Sequence, residues 1–457
     1  TAAFPHAASR ARAPLRAAMF DFENLSDAED EPEARAPGQS EDGAGATPDQ
    51  RQGPSPLPPL SPAARRLFGL AGEKVPIEEV VIPAGAVLRV ATISDVHVDT
   101  PLNRKWFERH MPKKSASFFN VLILPGDVSD DFNRLRETLQ MLTSAFDLVC
   151  YTPGNHDIWV VRKDSPPDSL AKFREVLRIC QECGVRTRPL RLMSSPKDPG
   201  TDVMLVPLLS FYTSDWDHEP DLPWTPEKQK TMEAWTDFKA IRWPQELVEE
   251  VRRRSGGREL AFGPGGTSAA LSEVFSAVNE LWLQEIVELT SSRGSHEGPP
   301  PAVISYSHYL PRQELFPEKR FLVDAMLHKV SGSVALEGQI RRLRPCAHIF
   351  GHTHLTVDLE LEGQRYLQWA LGTPSEQRAM TRAVGDTGML VIYDAGGKEP
   401  HLAPVQETFW GRFFAKGLRR PEETCPASFV RGLFGRLYPD VKLPLDDNYF
   451  FEKTPHP

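Results

Sequence analysis

Apolar positions along this chain gather in short runs, and five of the runs empty into polar residues of a recurring kind. Residues 87–93 lead into Ser94-Asp95-Val96-His97, and residues 121–124 into Pro125-Gly126-Asp127. Residues 148–151 lead into Thr152-Pro153-Gly154-Asn155-His156-Asp157, and residues 302–304 into Ser305-Tyr306-Ser307-His308. The fifth, around Ala347, Ile349 and Phe350, ends in Gly351-His352-Thr353-His354. Short apolar runs bounded by turn residues read as buried strands. Segments at 131–146 and 168–181 carry helical spacing, and Asp130 or Asp131 can cap the first of them. Strands alternating with helices imply an α/β sheet, and such sheets bind ligands at the carboxyl ends of their strands. Five polar clusters, each at a strand's carboxyl end, therefore point at one place.

The remaining pattern divides the chain. Residues 1–76 form an N-terminal extension with too few apolar positions for a core, and most of it reads as disordered. The sheet domain is expected over 77–397, with an insert at about 160–300. Within the insert, 203–209 reads as another buried strand, followed by the aromatic and acidic loop 210–220, expected to rim the site. Residues 255–268 are Gly-rich and read as mobile, whereas 271–289 have helical spacing and should pack on the sheet. Two further strands are expected at 366–371 and 389–393. Residues 398–457 mix aromatic and basic positions. Such a segment can lie on a membrane surface or join a larger complex, and docking on its own domain is the preferred reading.

Composition narrows the class. The chain has 457 residues, 40% hydrophobic and 25% charged, as in ordinary globular proteins. A net charge of −9 leaves no overall footprint for nucleic acid. No apolar run reaches the ~20 residues of a membrane helix. Five cysteines (Cys150, Cys180, Cys183, Cys346 and Cys425) do not suggest a disulfide framework, so a reducing, intracellular compartment is expected. Residues 1–18 carry three arginines and no acid, which fits a transit segment to a plastid or other organelle; otherwise the cytoplasm is expected.

The polar clusters supply Asp95, His97, Asp127, Asn155, His308, His352 and His354. One divalent ion rarely takes seven protein ligands, so two ions are implied, with a carboxylate bridging them. Carboxylate with imidazole suits Mn, Fe or Zn better than Ca or Mg. No cysteine belongs to the set, which argues against a closed structural zinc site. Two close ions suit in-line displacement at phosphorus, hence hydrolysis of a phosphate ester.

In this order, Asp95-x-His97, Gly126-Asp127, Gly154-Asn155-His156-Asp157, His308 and Gly351-His352-x-His354 resemble the five-block signature of calcineurin-like metallophosphoesterases over roughly 87–395. The stretch around His308 and Ser214-Asp215-Trp216-Asp217 is also similar to uncharacterised plant and algal members. The resemblance implies a two-sheet α/β sandwich with flanking helices. It implies that Asp95, His97 and His354 hold one ion, that Asn155, His308 and His352 hold the other, and that Asp127 bridges them. A metal-bridging hydroxide would attack the ester, His156 would protonate the leaving oxygen or steady the phosphoryl charge, and Asp157 would orient His156.

One departure narrows the substrate. Protein Ser/Thr phosphatases of the superfamily follow Gly-Asp with Asp-Arg-Gly, whereas Val128-Ser129-Asp130-Asp131 stand here and no arginine comes before Arg134. Nucleases of the superfamily need a basic surface. Small phosphomonoesters or phosphodiesters are the expected substrates. The alternative is a catalytically silent scaffold that uses the same fold and its C-terminal segment for association. Cys180 and Cys183 read as ordinary packing residues, and His218 as a surface histidine.

Overall fold

The computed structural model describes residues 57–70, 75–195, 202–230, 235–256, 269–291, 300–374, 376–377, 388–396, 401–408, 411, 419–437 and 440–441. The expectations for 1–56, for most of the Gly-rich stretch and for most of 409–418 lie outside the described residues.

Among the described residues, twelve strands build two sheets. In chain order they are β1 (Glu78–Val81), β2 (Val87–Thr92), β3 (Phe118–Leu124), β4 (Leu148–Tyr151), β5 (Leu190–Met193) and β6 (Val203–Pro207), then β7 (Ala302–Tyr306), β8 (Ala347–Phe350), β9 (Thr356–Leu361), β10 (Gln364–Trp369), β11 (Leu390–Asp394) and β12 (His401–Leu402). One sheet runs β1-β5-β6-β7-β8-β10-β9 and the other β12-β11-β2-β3-β4. Pairing is parallel along β2-β3-β4 and along β6-β7-β8. Those two blocks carry every polar cluster picked out above.

Period-two alternation sandwiches the strands. Leu88, Val90, Val121, Ile123, Leu148 and Cys150 face the other sheet, where Leu205, Ile304, Tyr306, Ile349 and Leu367 meet them. The alternate residues Leu122, Leu124, Val149 and Tyr151 face outward, onto the helices Phe132–Ala145 and Ser169–Glu182. Each fully buried aliphatic side chain contributes roughly 1.5–3 kcal/mol relative to exposure. The inter-sheet layer is thus the rigid base from which the strand ends project. Both outer helices start at acidic caps: Asp131 accepts from the amides of Asn133 and Arg134, and Asp168 accepts from Ala171.

The strand expected at 203–209 is β6, an interior strand paired with β7, and the same region also supplies β5. The aromatic loop expected at the rim is largely enclosed: Phe211, Tyr212 and Trp216 are buried at 1%, 0% and 3% exposure, and Tyr212 stacks on the His352 ring at 6.0 Å between centroids. They pack with Phe275 of the helix Ala269–Ser291, because large aromatic surfaces are stabilised by enclosure.

The described part of the C-terminal segment docks on its own domain. Val430 is buried among Leu222, Trp224, Val323 and Ala325. The Trp224 indole N–H donates to the Thr424 carbonyl at 2.7 Å, and Arg320 pairs with Glu423. No helix among the described residues is long and apolar enough to cross a membrane.

Candidate metal centre

Every candidate ligand sits at the carboxyl end of its strand: Asp95 and His97 after β2, Asp127 after β3, Asn155 after β4, His308 after β7, His352 and His354 after β8. The emerging loops are zipped together by backbone hydrogen bonds. The Asp95 and His97 amides donate to Gly126 and Asp127, and Gly351 donates to His308. Close approach explains the motif glycines. A Cβ on Gly154 would lie 2.2 Å from Asp127 Oδ1, and one on Gly126 would lie 2.5 Å from His308 Nδ1.

Seven described non-glycine residues adopt positive φ, and five of them are Asp95, His97, Asp127, His352 and His354. Left-handed backbone costs an ordinary residue about 1–2 kcal/mol. The strain is concentrated in the candidate ligands, as at sites where the surroundings over-determine the chain.

The first half of the site gathers Asp95, His97, Asp127 and His354, whose ligand atoms all lie within 4.8 Å of one another. His97 Nε2 stands 2.9 Å from His354 Nε2 and 3.8 Å from Asp127 Oδ2, while His354 Nε2 stands 3.8 Å from Asp95 Oδ1. His354 Nδ1 is 2.8 Å from the buried Glu376 carboxylate, so its proton belongs there and Nε2 faces the cluster. Burial raises the Glu376 carboxyl, but the His354 ring and the Thr373 hydrogen bonds outweigh it and hold the group at about 2.

The second half gathers Asn155, His308 and His352. Asn155 Oδ1 lies 3.1 Å from both His308 Nε2 and His352 Nδ1. The outer nitrogens are committed elsewhere: His308 Nδ1 donates to the Pro125 carbonyl at 2.8 Å and His352 Nε2 to the Val330 carbonyl at 2.7 Å. In the neutral rings, both inward nitrogens then present lone pairs to an amide oxygen. Burial lowers the His308 pKa, which favours that neutral ring. Three acceptors meeting at one point fit a cation.

Asp127 stands between the halves. Its Oδ1 is 3.5 Å from His308 Nε2, and its Oδ2 faces His97. Burial, with Asp157 and Asp95 nearby, pushes its pKa well up, because buried carboxylates repel one another. Bound cations would relieve both penalties. The donor set, carboxylate with neutral imidazole, therefore suits borderline divalent ions.

His156 is brought to the same place. Its ring lies on the Trp159 indole at 3.6 Å between centroids, with Nε2 3.8 Å from Asp127 Oδ2. The Asp157 carboxylate accepts from four backbone amides, those of Asp127, Val128, Ser129 and Gly154, and so braces the loops after β3 and β4.

Two residues escaped the sequence reading. Glu376 lies in a helical stretch after β10, and Asp237 lies in the insert. The Asp237 carboxylate accepts from the Asn155 amide group and from the Trp159 and Trp235 indoles. Neither position carries a spacing signal. Elsewhere, Cys180 is buried in its helix and burial raises its thiol pKa, which fits packing, and His218 is exposed.

Two sheets carry the candidate ligands at their strand ends, and residues 88–355 match the model of the calcineurin-like phosphoesterase family, to which the chain belongs. Among individual proteins, the chain is similar to the [acyl-carrier-protein] phosphodiesterase PptH of Mycobacterium tuberculosis, 29% identical over 133 residues. That match covers 28% of this chain and 39% of PptH, so well under half of the relative's length is spanned. The crystal structure of the M. tuberculosis phosphopantetheinyl hydrolase PptH superposes with a TM-score of 0.44 at 19% identity, covering 70% of this chain and all (100%) of that one. A putative 5′-nucleotidase from Staphylococcus aureus gives 0.26 at 10% identity, covering 62% of this chain and 48% of its own.

Proposed function

We propose that the protein is a dinuclear metal-dependent phosphohydrolase acting on a phosphodiester. The observation that carries the two-ion reading is Asp127, whose two oxygens face opposite halves of a ligand cluster. Asp95, His97 and His354 would hold one ion and Asn155, His308 and His352 the other, with Asp127 shared between them. Mn, Fe or Zn fits these donors.

Bound divalent ions supply Lewis acidity and ease ionisation of the attacking water. The chain does the rest. Pro125 and Val330 carbonyls and the Glu376 carboxylate hold the ligand imidazoles in the tautomers that offer a lone pair inward. Asp157 keeps the loops after β3 and β4 in register. His156, flat on Trp159, donates a proton to the departing alkoxide or a hydrogen bond to the phosphoryl oxygens.

Two observations favour a diester. PptH, by its name, is a phosphodiesterase. A cavity of about 340 Å³, lined by Ser214, Thr225, Phe238, Met326, Lys329 and Val330, offers room for an organic arm. It adjoins the second half, since the Val330 carbonyl holds His352.

The test is hydrolysis of an aryl phosphomonoester and an aryl phosphodiester by Mn-loaded protein, with Asp127→Asn as control. Turnover of the diester, reduced at least 100-fold in the control, is expected. Faster monoester turnover would overturn the diester assignment. No turnover of either by protein holding two ions would favour the silent-scaffold alternative.

A further inference from the structure

We propose that Asp237 is a positioning residue that fixes which end of the Asn155 amide faces the second ion. The proposal rests on the two-ion reading above and adds a residue from outside the motif blocks.

Asn155 can serve as a ligand only through Oδ1, yet the two ends of a carboxamide are nearly the same shape. A half-turn about its last torsion would aim an NH₂ group at the cation. What forbids that turn is the group behind it. A carboxylate only accepts hydrogen bonds. The Asp237 carboxylate takes the Asn155 Nδ2 hydrogens at 2.9 Å and 3.1 Å, one distance to each of its oxygens. The flipped amide would set two acceptors against each other in a place where Asp237 is 1% exposed and no solvent can intervene. A neutral amide at 237 would lack this discrimination, because it can rotate to suit either end. The negative charge also polarises Asn155 and makes Oδ1 a better donor to a cation, as second partners of metal ligands do.

The same carboxylate fixes the support of His156. The Trp159 indole N–H donates to Asp237 Oδ1 at 2.5 Å, and that indole carries the His156 ring. The short helix Asp237–Ala240 is itself tied to the stretch after the Gly154-Asn155-His156-Asp157 block. Val160 N donates to the Ala240 carbonyl at 2.7 Å, and Ser169 N to the Arg242 carbonyl at 2.7 Å. The insert thus reaches back to hold both a metal ligand and the platform of the proton donor.

The experiment is calorimetric titration of metal-free protein with Mn²⁺ alone, resolving two stepwise affinities, with unfolding temperature measured in parallel. Wild type is expected to take two ions. Asp237→Asn should weaken the second-half ion by about 10–100-fold and leave the first nearly unchanged. In an Asn155→Ala background, Asp237→Asn should produce no further loss, because the effect runs through Asn155. Equal weakening of both ions, or a lower unfolding temperature with both affinities intact, would mean that Asp237 only supports the fold and would overturn the proposal. If Asp237→Asn does not fold, Asp237→Glu keeps the charge but displaces the carboxylate by one methylene, and the same selective loss is expected. A single ion bound by wild type would overturn the two-ion reading, and this proposal with it, before any variant is compared.

Discussion

A carboxylate with no metal to hold can matter as much as one that has. Asp157 belongs to the signature block, yet each of its oxygens accepts from two backbone amides, Asp127 and Gly154 on one, Val128 and Ser129 on the other. Hydrogen bonds to charged groups are worth about 1.5–3 kcal/mol each, and buried donors left alone cost a similar amount. Asp157→Asn keeps one oxygen and turns an NH₂ group toward two of those amides. It is expected to destabilise the protein by roughly 3 kcal/mol or more in urea unfolding, and a loss under 1 kcal/mol would refute the bracing role. Its neighbour His156 has a different constraint. The Trp159 indole face carries that ring, which the motif alone could not disclose.

At the level of elements, each ligand loop depends on a partner from another part of the chain. Glu376, in the helical stretch after β10, holds His354, which follows β8, and Thr373 holds Glu376 through both its amide and its hydroxyl. Glu376→Gln retains an acceptor but loses the charge. It is expected to lower affinity for the first-half ion by about 10–100-fold, read as metal retained after dialysis, with the second-half ion unaffected. This also marks where legibility stopped. The strands β2, β3, β4, β7 and β8 were readable because each pairs an apolar run with a polar terminus. β1 (Glu-Glu-Val-Val), a mostly exposed edge strand, carried no such contrast, and β9 alternates with Asp358 and Glu360. The seven candidate ligands were legible from composition at strand ends, and the structure brings all of them together. Asp237 and Glu376 were not, since their significance arises only from contacts 82 and 22 residues away in sequence.

Across the whole molecule, acid should act through buried histidines remote from the candidate ligands. Burial pushes His328 and His348 down to about 3. His348 lies between the Ser305 and Ser307 hydroxyls in the sheet core, and His328 contacts the Pro317 carbonyl. Such a ring stays neutral when folded but takes a proton when unfolded. The stability it contributes is therefore complete above about 6.5 and is lost as pH falls toward 3. From pH 6.5 to 5 the loss is about 2 kcal/mol per histidine. In metal-free protein, His348→Gln is expected to flatten the fall in unfolding free energy between pH 7 and 5, and an unaltered slope would refute this. Glu376 adds to the same trend at lower pH: its depressed carboxyl contributes stability above about 4.5 that disappears toward 2.

The left-handed backbone at Asp95, His97, Asp127, His352 and His354 has one more consequence. Glycine would relax each of these turns and erase a donor at the same stroke, so the most comfortable chain at these positions is an inert one. Selection for foldedness alone would drift toward that sequence. Selection for an active site has to resist the drift at five places simultaneously, and a protein that still carries all five side chains in that conformation bears the mark of being used.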